Sequence, residues 1–138
     1  MIRIVVAEDH TLIREAISNF LKEQPDIEVV GQAKDGEGAM ELAAKLQPDV
    51  IVMDISMPPV LSGLEATRWI CTTWPDVKVI ALSMHSHKQY VDQMLKAGAR
   101  GYMLKDGDFE ELLTAIHEVV EGRIYVSVGA GGSPAQTP

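Results

Sequence analysis

Hydrophobic positions along the chain fall into two rhythms that take turns. Ile2-Arg3-Ile4-Val5-Val6-Ala7 is a short β-branched run that ends in Glu8-Asp9, and Leu12, Ile13, Ala16, Ile17, Phe20 and Leu21 then recur at helical spacing. Pro25-Asp26 stops that helix, Ile27 to Ala33 reads as a second strand, and Asp35-Gly36 turns the chain into a helix across Ala39, Leu42, Ala43 and Leu46. Pro48-Asp49 opens Val50-Ile51-Val52-Met53, an apolar run without alternation that ends at Asp54. Such a run fits a central parallel strand covered on both faces. Leu64 to Trp74 reads as a third helix and Val77 to Leu82 as a fourth strand. Tyr90, Val91, Met94 and Leu95 mark a fourth helix closed by Gly98. Gly101-Tyr102-Met103-Leu104 is a fifth strand, and Phe109, Leu112, Leu113, Ile116, Val119 and Val120 line one face of a fifth helix.

Strict alternation of strands and helices predicts an α/β fold: a (βα)5 unit with an open, parallel, doubly wound, five-stranded sheet and right-handed crossovers. Residues 1–127 are expected to form one domain. The segment 128–138, rich in small residues and proline, is expected to be a flexible tail or linker. A length of 138 residues suits a single core.

Composition narrows the class. Apolar residues at 46% and charged ones at 23% are ordinary for a soluble globular chain. The single cysteine, Cys71, excludes an internal disulfide framework and a multi-cysteine metal site, and reads as helix packing in a reducing compartment. No run of about 18 apolar residues occurs, and the apolar start breaks at Glu8-Asp9, too early for a signal peptide. A cytoplasmic protein without a membrane segment is expected. A net charge of −8 makes the chain by itself a poor ligand for nucleic acid.

In open α/β sheets, sites lie beyond the carboxyl ends of the strands. At that edge the chain carries Glu8 and Asp9 after the first strand and Asp54 after the third. Ser83 ends the fourth strand and Lys105 follows the fifth. Three carboxylates brought together repel unless a hard cation and a lysine offset them. Mg²⁺ fits, since it takes oxygen ligands, keeps waters and pairs with phosphate oxygens. Asp54 would then be the nucleophile that accepts a phosphoryl group as an acyl phosphate, with Lys105 pairing with the added group. Ser83 could donate to a phosphoryl oxygen, a contact present only in the modified state.

Each residue also has a plainer reading. Glu8 and Asp9 fit helix-capping acids, and a strand-end Asp such as Asp54 occurs in nucleotide-binding folds. Ser83 fits a turn, Lys105 a surface charge and Tyr102 core packing. The order in which they occur together carries the argument.

These segments resemble the response regulator receiver family over Met1 to about Ser127. Ala7-Glu8-Asp9 is similar to its acidic pair, Val52-Met53-Asp54-Ile55-Ser56-Met57-Pro58 to its phosphoacceptor segment, and Gly101-Tyr102-Met103-Leu104-Lys105 to its lysine strand. The resemblance implies a flavodoxin-like, CheY-like sheet in strand order 2-1-3-4-5. It implies phosphorylation of Asp54 by a sensor histidine kinase. Asp9, Asp54 and the backbone carbonyl of Ser56 would ligate Mg²⁺, with Glu8 acting partly through water. Ser83 and Tyr102 match the switch pair, whose movement alters the face of the fourth helix, fifth strand and fifth helix. Asp9-His10, Pro25 to Gly31, Gly63 to Arg68 and Ala97 to Tyr102 resemble the branch with a LuxR-type helix-turn-helix output, which regulates transcription and acts as dimers. DNA would be reached only through an output domain absent from this chain; a single-domain relay is the alternative.

Two departures stand out. Asp106 follows Lys105 where many receivers have proline, and Pro59, Val60, Leu61 and Ser62 separate Pro58 from Gly63 where the family usually has three residues. Among rival functions, an aspartate-nucleophile phosphatase normally has a second acid two residues after the nucleophile, where this chain has Ser56. A dinucleotide site lacks Gly-x-Gly-x-x-Gly after the first strand.

Overall fold

In the computed structural model, residues 1–55, 63–84, 88–105 and 107–127 are described. The phosphoacceptor loop with Ser56 and Pro59 to Ser62, Asp106 and the segment 128–138 lie outside them. The elements run β1 (Ile2–Ala7), α1 (Thr11–Lys22), β2 (Ile27–Ala33), α2 (Gly36–Leu46), β3 (Val50–Asp54), α3 (Gly63–Thr73), β4 (Lys78–Ser83), α4 (Lys88–Lys96), β5 (Gly101–Leu104), α5 (Phe109–Val120) and β6 (Tyr125–Val126).

All neighbouring strands pair in parallel, in the order β2-β1-β3-β4-β5-β6. The first five follow the expected order, but the sheet has six strands rather than five. After α5 ends, Gly122 adopts φ +91° and the chain turns back. Tyr125 N then donates to Arg100 O, and Ser127 N to Tyr102 O, both at 2.9 Å. Two residues cannot display a period of two, so this strand leaves no pattern in the sequence.

The apolar runs lack alternation because both faces of the sheet are buried. Ile4, Val6, Val50, Val52, Ile80 and Leu82 pack with Ile17, Leu21, Leu112, Ile116 and Val119 of α1 and α5. Their immediate neighbours Val5, Ala7, Ile51, Met53 and Val79 pack on the other side, with Ala39 and Ala43 of α2 and Ala66 and Ile70 of α3. A third cluster joins Ala81, Val91, Met94, Ala99, Tyr102 and Val126 around α4 and the outer strands. Full burial of a Val, Ile or Met side chain contributes roughly 1.5–3 kcal/mol, so the strand ends are set in a stiff frame.

Local signals fix the helix ends. Asp35 Oδ1 accepts from Gly38 N at 2.7 Å and Asp108 Oδ1 from Glu111 N at 2.8 Å, so both acids cap helix N-termini. Gly98 ends α4 with φ +112°, and a Cβ there would lie 2.5 Å from Cys71 Cβ. Glycine is therefore required both by the backbone and by the close approach of α3. Cys71 packs in that contact, and burial pushes its thiol up to about 11, which fits the expected packing role. Among the described residues no helix is long and apolar enough to cross a membrane.

Candidate functional site

Parallel strands of one sheet end at one edge, and here that edge gathers the charges. Backbone hydrogen bonds tie each position to its neighbour: Glu8 N to Ala33 O at 2.9 Å, Ile55 N to Leu82 O at 3.0 Å and Lys105 N to Ser83 O at 2.8 Å. Arg14 Nη1 of α1 also donates to Glu8 O at 2.8 Å. Gly63 packs so closely on the chain after Asp54 that a Cβ would come within 2.4 Å of Ile55 Cα. Asp54 is thus held from both sides.

Glu8 has no exposed surface and Asp54 1%. Lys105 Nζ sits between them, 3.1 Å from Asp54 Oδ2 and 3.0 Å from Glu8 Oε1. Burial pushes the Glu8 carboxyl above its usual range, and the nearby Asp54 charge adds to this, against the lowering from the His10 amide and Lys105. Asp9 is held below its ordinary value: partial burial works upward, but a hydrogen bond with Glu8 and the charges of His10 and Lys105 prevail. For Lys105 burial works downward, and the hydrogen bonds to Glu8 and Asp54 outweigh it, so its ammonium titrates above the usual range. Acids and lysine are mutually compensating, as buried charges must be.

Glu8, Asp9, His10 and Asp54 each turn a ligand atom into a space no wider than 4.8 Å between any two of them. Glu8 Oε1 and Asp9 Oδ1 are buried atoms that face Lys105 Nζ at 3.0 Å and His10 Nδ1 at 3.4 Å. Carboxylate oxygens crowded together in this way carry more lone pairs than these contacts engage, and such a cluster fits a hard divalent cation. A groove of about 520 Å³ lined by Arg14, Gln32, Asp35, Gly38 and Leu42 opens nearby and includes none of Glu8, Asp9 and Asp54.

Ser83, fully buried at the end of β4, shares a hydrogen bond with Tyr102, which is likewise without exposed surface. Burial raises the Tyr102 phenol and that hydrogen bond lowers it in part. The ring therefore already lies inward, packed on Val91, Met94 and Val126.

All the site residues expected from sequence that fall among the described residues meet at one edge: Glu8, Asp9, Asp54, Ser83 and Lys105, with Tyr102 behind Ser83. The carbonyl of Ser56 lies outside them. Sequence reasoning missed His10 as a member of the cluster. Its position next to Glu8-Asp9 was the available signal, but a loop histidine has no periodicity to reveal which way its ring turns.

Comparison with known proteins agrees with this geometry. The family model described as "Response regulator receiver domain" matches residues 4–117. Over 125 residues the chain is 47% identical to the transcriptional regulatory protein DegU of Brevibacillus brevis, covering 91% of this chain and 52% of DegU. It is 41% identical over 126 residues to the oxygen regulatory protein NreC of Staphylococcus epidermidis, covering 91% of this chain and 58% of NreC. The chain therefore spans about half the length of these relatives. A crystal structure of a two-component response regulator of the LuxR family from Aurantimonas superposes with a TM-score of 0.88 at 32% identity, covering 94% of this chain and 91% of that one.

Proposed function

The chain belongs to the response regulator receiver domain family, close to its LuxR-type branch, and from that premise we propose that Asp54 accepts a phosphoryl group from a sensor histidine kinase. One observation carries the assignment. Among the strand-end acids, Asp54 lies at the end of a central strand with Lys105 Nζ 3.1 Å from its Oδ2. A carboxylate oxygen attacks phosphorus while the bond from phosphorus to the phosphohistidine nitrogen breaks, and the imidazole leaves with the electron pair. Lys105 transfers its charge from the carboxylates to the new phosphoryl oxygens, and Ser83 exchanges its bond with Tyr102 for one with the phosphoryl group. Glu8, Asp9 and Asp54, with the backbone carbonyl that family resemblance assigns to Ser56, would hold Mg²⁺, which offsets the oxygen charge during transfer. The group stays on this protein, so the chain is a phosphoacceptor rather than an enzyme with a separate substrate.

The signal passes to an output. DegU is a transcriptional regulatory protein, which favours transcription control through a LuxR-type helix-turn-helix domain beyond this chain, reached by 128–138 as a linker. Dimerisation on phosphorylation and a cytoplasmic setting complete the reading.

Incubation with acetyl phosphate and Mg²⁺ should add one phosphoryl group by intact mass, and Asp54→Ala should add none. Undiminished labelling of the variant would remove Asp54 from this role.

A further inference from the structure

His10 opens α1 as its N-cap residue, yet its side chain makes no capping hydrogen bond. The ring turns back instead. Its Nδ1 lies 3.2 Å from Glu8 Oε2 and 3.4 Å from Asp9 Oδ1, while its own amide donates to Glu8 Oε2 at 3.1 Å and holds that carboxylate in place. A metal bond of about 2.1 Å places neighbouring ligand atoms about 3.0 Å apart in an octahedron and about 3.4 Å apart in a tetrahedron. The 3.2 Å contact is a hydrogen bond between the imidazole and Glu8 in the metal-free protein, and both nitrogen–oxygen distances also fall within the span of such polyhedron edges, so Nδ1 could exchange that bond for a cation with little movement. With the Asp54 carboxylate, the four ligand atoms lie within 4.8 Å of one another. The His10 side chain is 66% exposed, so Nε2 can carry the ring proton in solvent and leave the Nδ1 lone pair for a cation.

We propose that His10 is a fourth ligand at this cation site, and that its imidazole gives the site a preference for first-row transition cations over Mg²⁺. This rests on the reading of Glu8, Asp9 and Asp54 as a cation site. Carboxylates alone favour hard ions, whereas an imidazole nitrogen suits cobalt, nickel and zinc and is a poor partner for Mg²⁺. The histidine therefore raises the site's affinity for such ions relative to the Mg²⁺ it would hold in phosphoryl transfer. Lys105 makes its shorter contacts to Glu8 Oε1 at 3.0 Å and Asp54 Oδ2 at 3.1 Å and reaches Glu8 Oε2, the oxygen that His10 meets, only at 3.4 Å, so the ammonium can keep the first two beside a bound cation.

Co²⁺ and Mg²⁺ are the probes, titrated separately by calorimetry into the full chain, with the visible absorption of bound Co²⁺ reporting its ligands. The ratio of Co²⁺ to Mg²⁺ affinity should fall about tenfold or more in His10→Ala, in line with the cost of disturbing ligand shells. The Co²⁺ band should shift as nitrogen is lost. His10 caps nothing with its side chain, so the variant should fold, and His10→Gln provides a second variant with a polar side chain in its place. An unaltered ratio and an unaltered band in both variants would overturn the role of His10. Asp9→Asn separates the two readings: if it binds both cations as the parent does, the cation site itself is refuted, whatever His10 does.

Discussion

Lys105 determines whether two buried carboxylates can coexist at the strand edge, because its ammonium lies within 3.1 Å of both. Its titration above the ordinary 10.5 means that its contribution to stability is complete below that pH and fades only as the pH rises through the folded value. Lys105→Met keeps the stem and removes the charge. Glu8 and Asp54 then remain buried without their cation, and removing one partner of a buried ion pair costs about 3 kcal/mol or more. The carboxylates can recover some of that by taking up protons on folding. Stability of the variant should therefore rise as the pH falls from 7 towards 5, narrowing its deficit. Urea unfolding of parent and variant at the two pH values checks this, and a deficit independent of pH would show that the carboxylates do not respond to the lysine. That these residues converge was legible beforehand, since each follows an apolar run and parallel strands share an edge. The ring of His10 and the bond between Ser83 and Tyr102 were not, because side-chain direction in a loop and pairing across strands depend on three-dimensional packing.

Among the elements, long strands and helices announced themselves and β6 did not. β2 and β5 coincide with Ile27 to Ala33 and Gly101 to Leu104 because breakers bracket each β-branched or apolar run. β4 is shifted by one residue, beginning at Lys78 rather than Val77 and extending through Ser83. The last strand is too short for any period, and its stability comes from what it touches. Val126 is buried against Tyr102 and Met94, and Tyr125 donates its hydroxyl to Glu111 Oε2 of α5 at 2.8 Å. Burial and this carboxylate push the Tyr125 phenol up to about 12. A raised phenol stabilises the fold fully below the unfolded value near 10 and ceases to do so as the pH rises through about 12. Tyr125→Phe should cost about 1 kcal/mol at neutral pH, a modest value for a hydrogen bond to a partly exposed charged acceptor. The cost should persist to pH 10 and vanish near 12. Denaturation of both proteins across that range is the measurement, and equal stability at neutral pH would mean that the latch to α5 contributes nothing.

At the scale of the whole molecule, the sixth strand alters the surface through which a change at Asp54 would be reported. β5 is not the edge of the sheet: β6 runs outside it and pairs with Gly101 and Tyr102. Ser83, Tyr102 and Val126 therefore form a continuous path from the strand-end cluster to the sheet's outer rim. Val120 and Ile124, each 41% exposed, add apolar side chains to the surface beyond α5. A phosphoryl mimic that draws the Ser83 hydroxyl away from Tyr102 should loosen the packing of Tyr102 on Val126 and alter the face formed by α4, β5, β6 and α5. Coupling between two sites in one domain is typically about 1–3 kcal/mol, so beryllofluoride should strengthen self-association by roughly 5- to 150-fold. Ser83→Ala retains Asp54 and Lys105 and removes the hydroxyl proposed to sense the group, so its response should be several-fold smaller. Sedimentation of both proteins with and without beryllofluoride measures the association, and amide exchange at Tyr125 to Ser127 reports the rim directly. Equal association responses in the two proteins would exclude Ser83 as the sensor. Unaltered exchange at Ser127 in a parent that associates would place the signal on a route that bypasses β6.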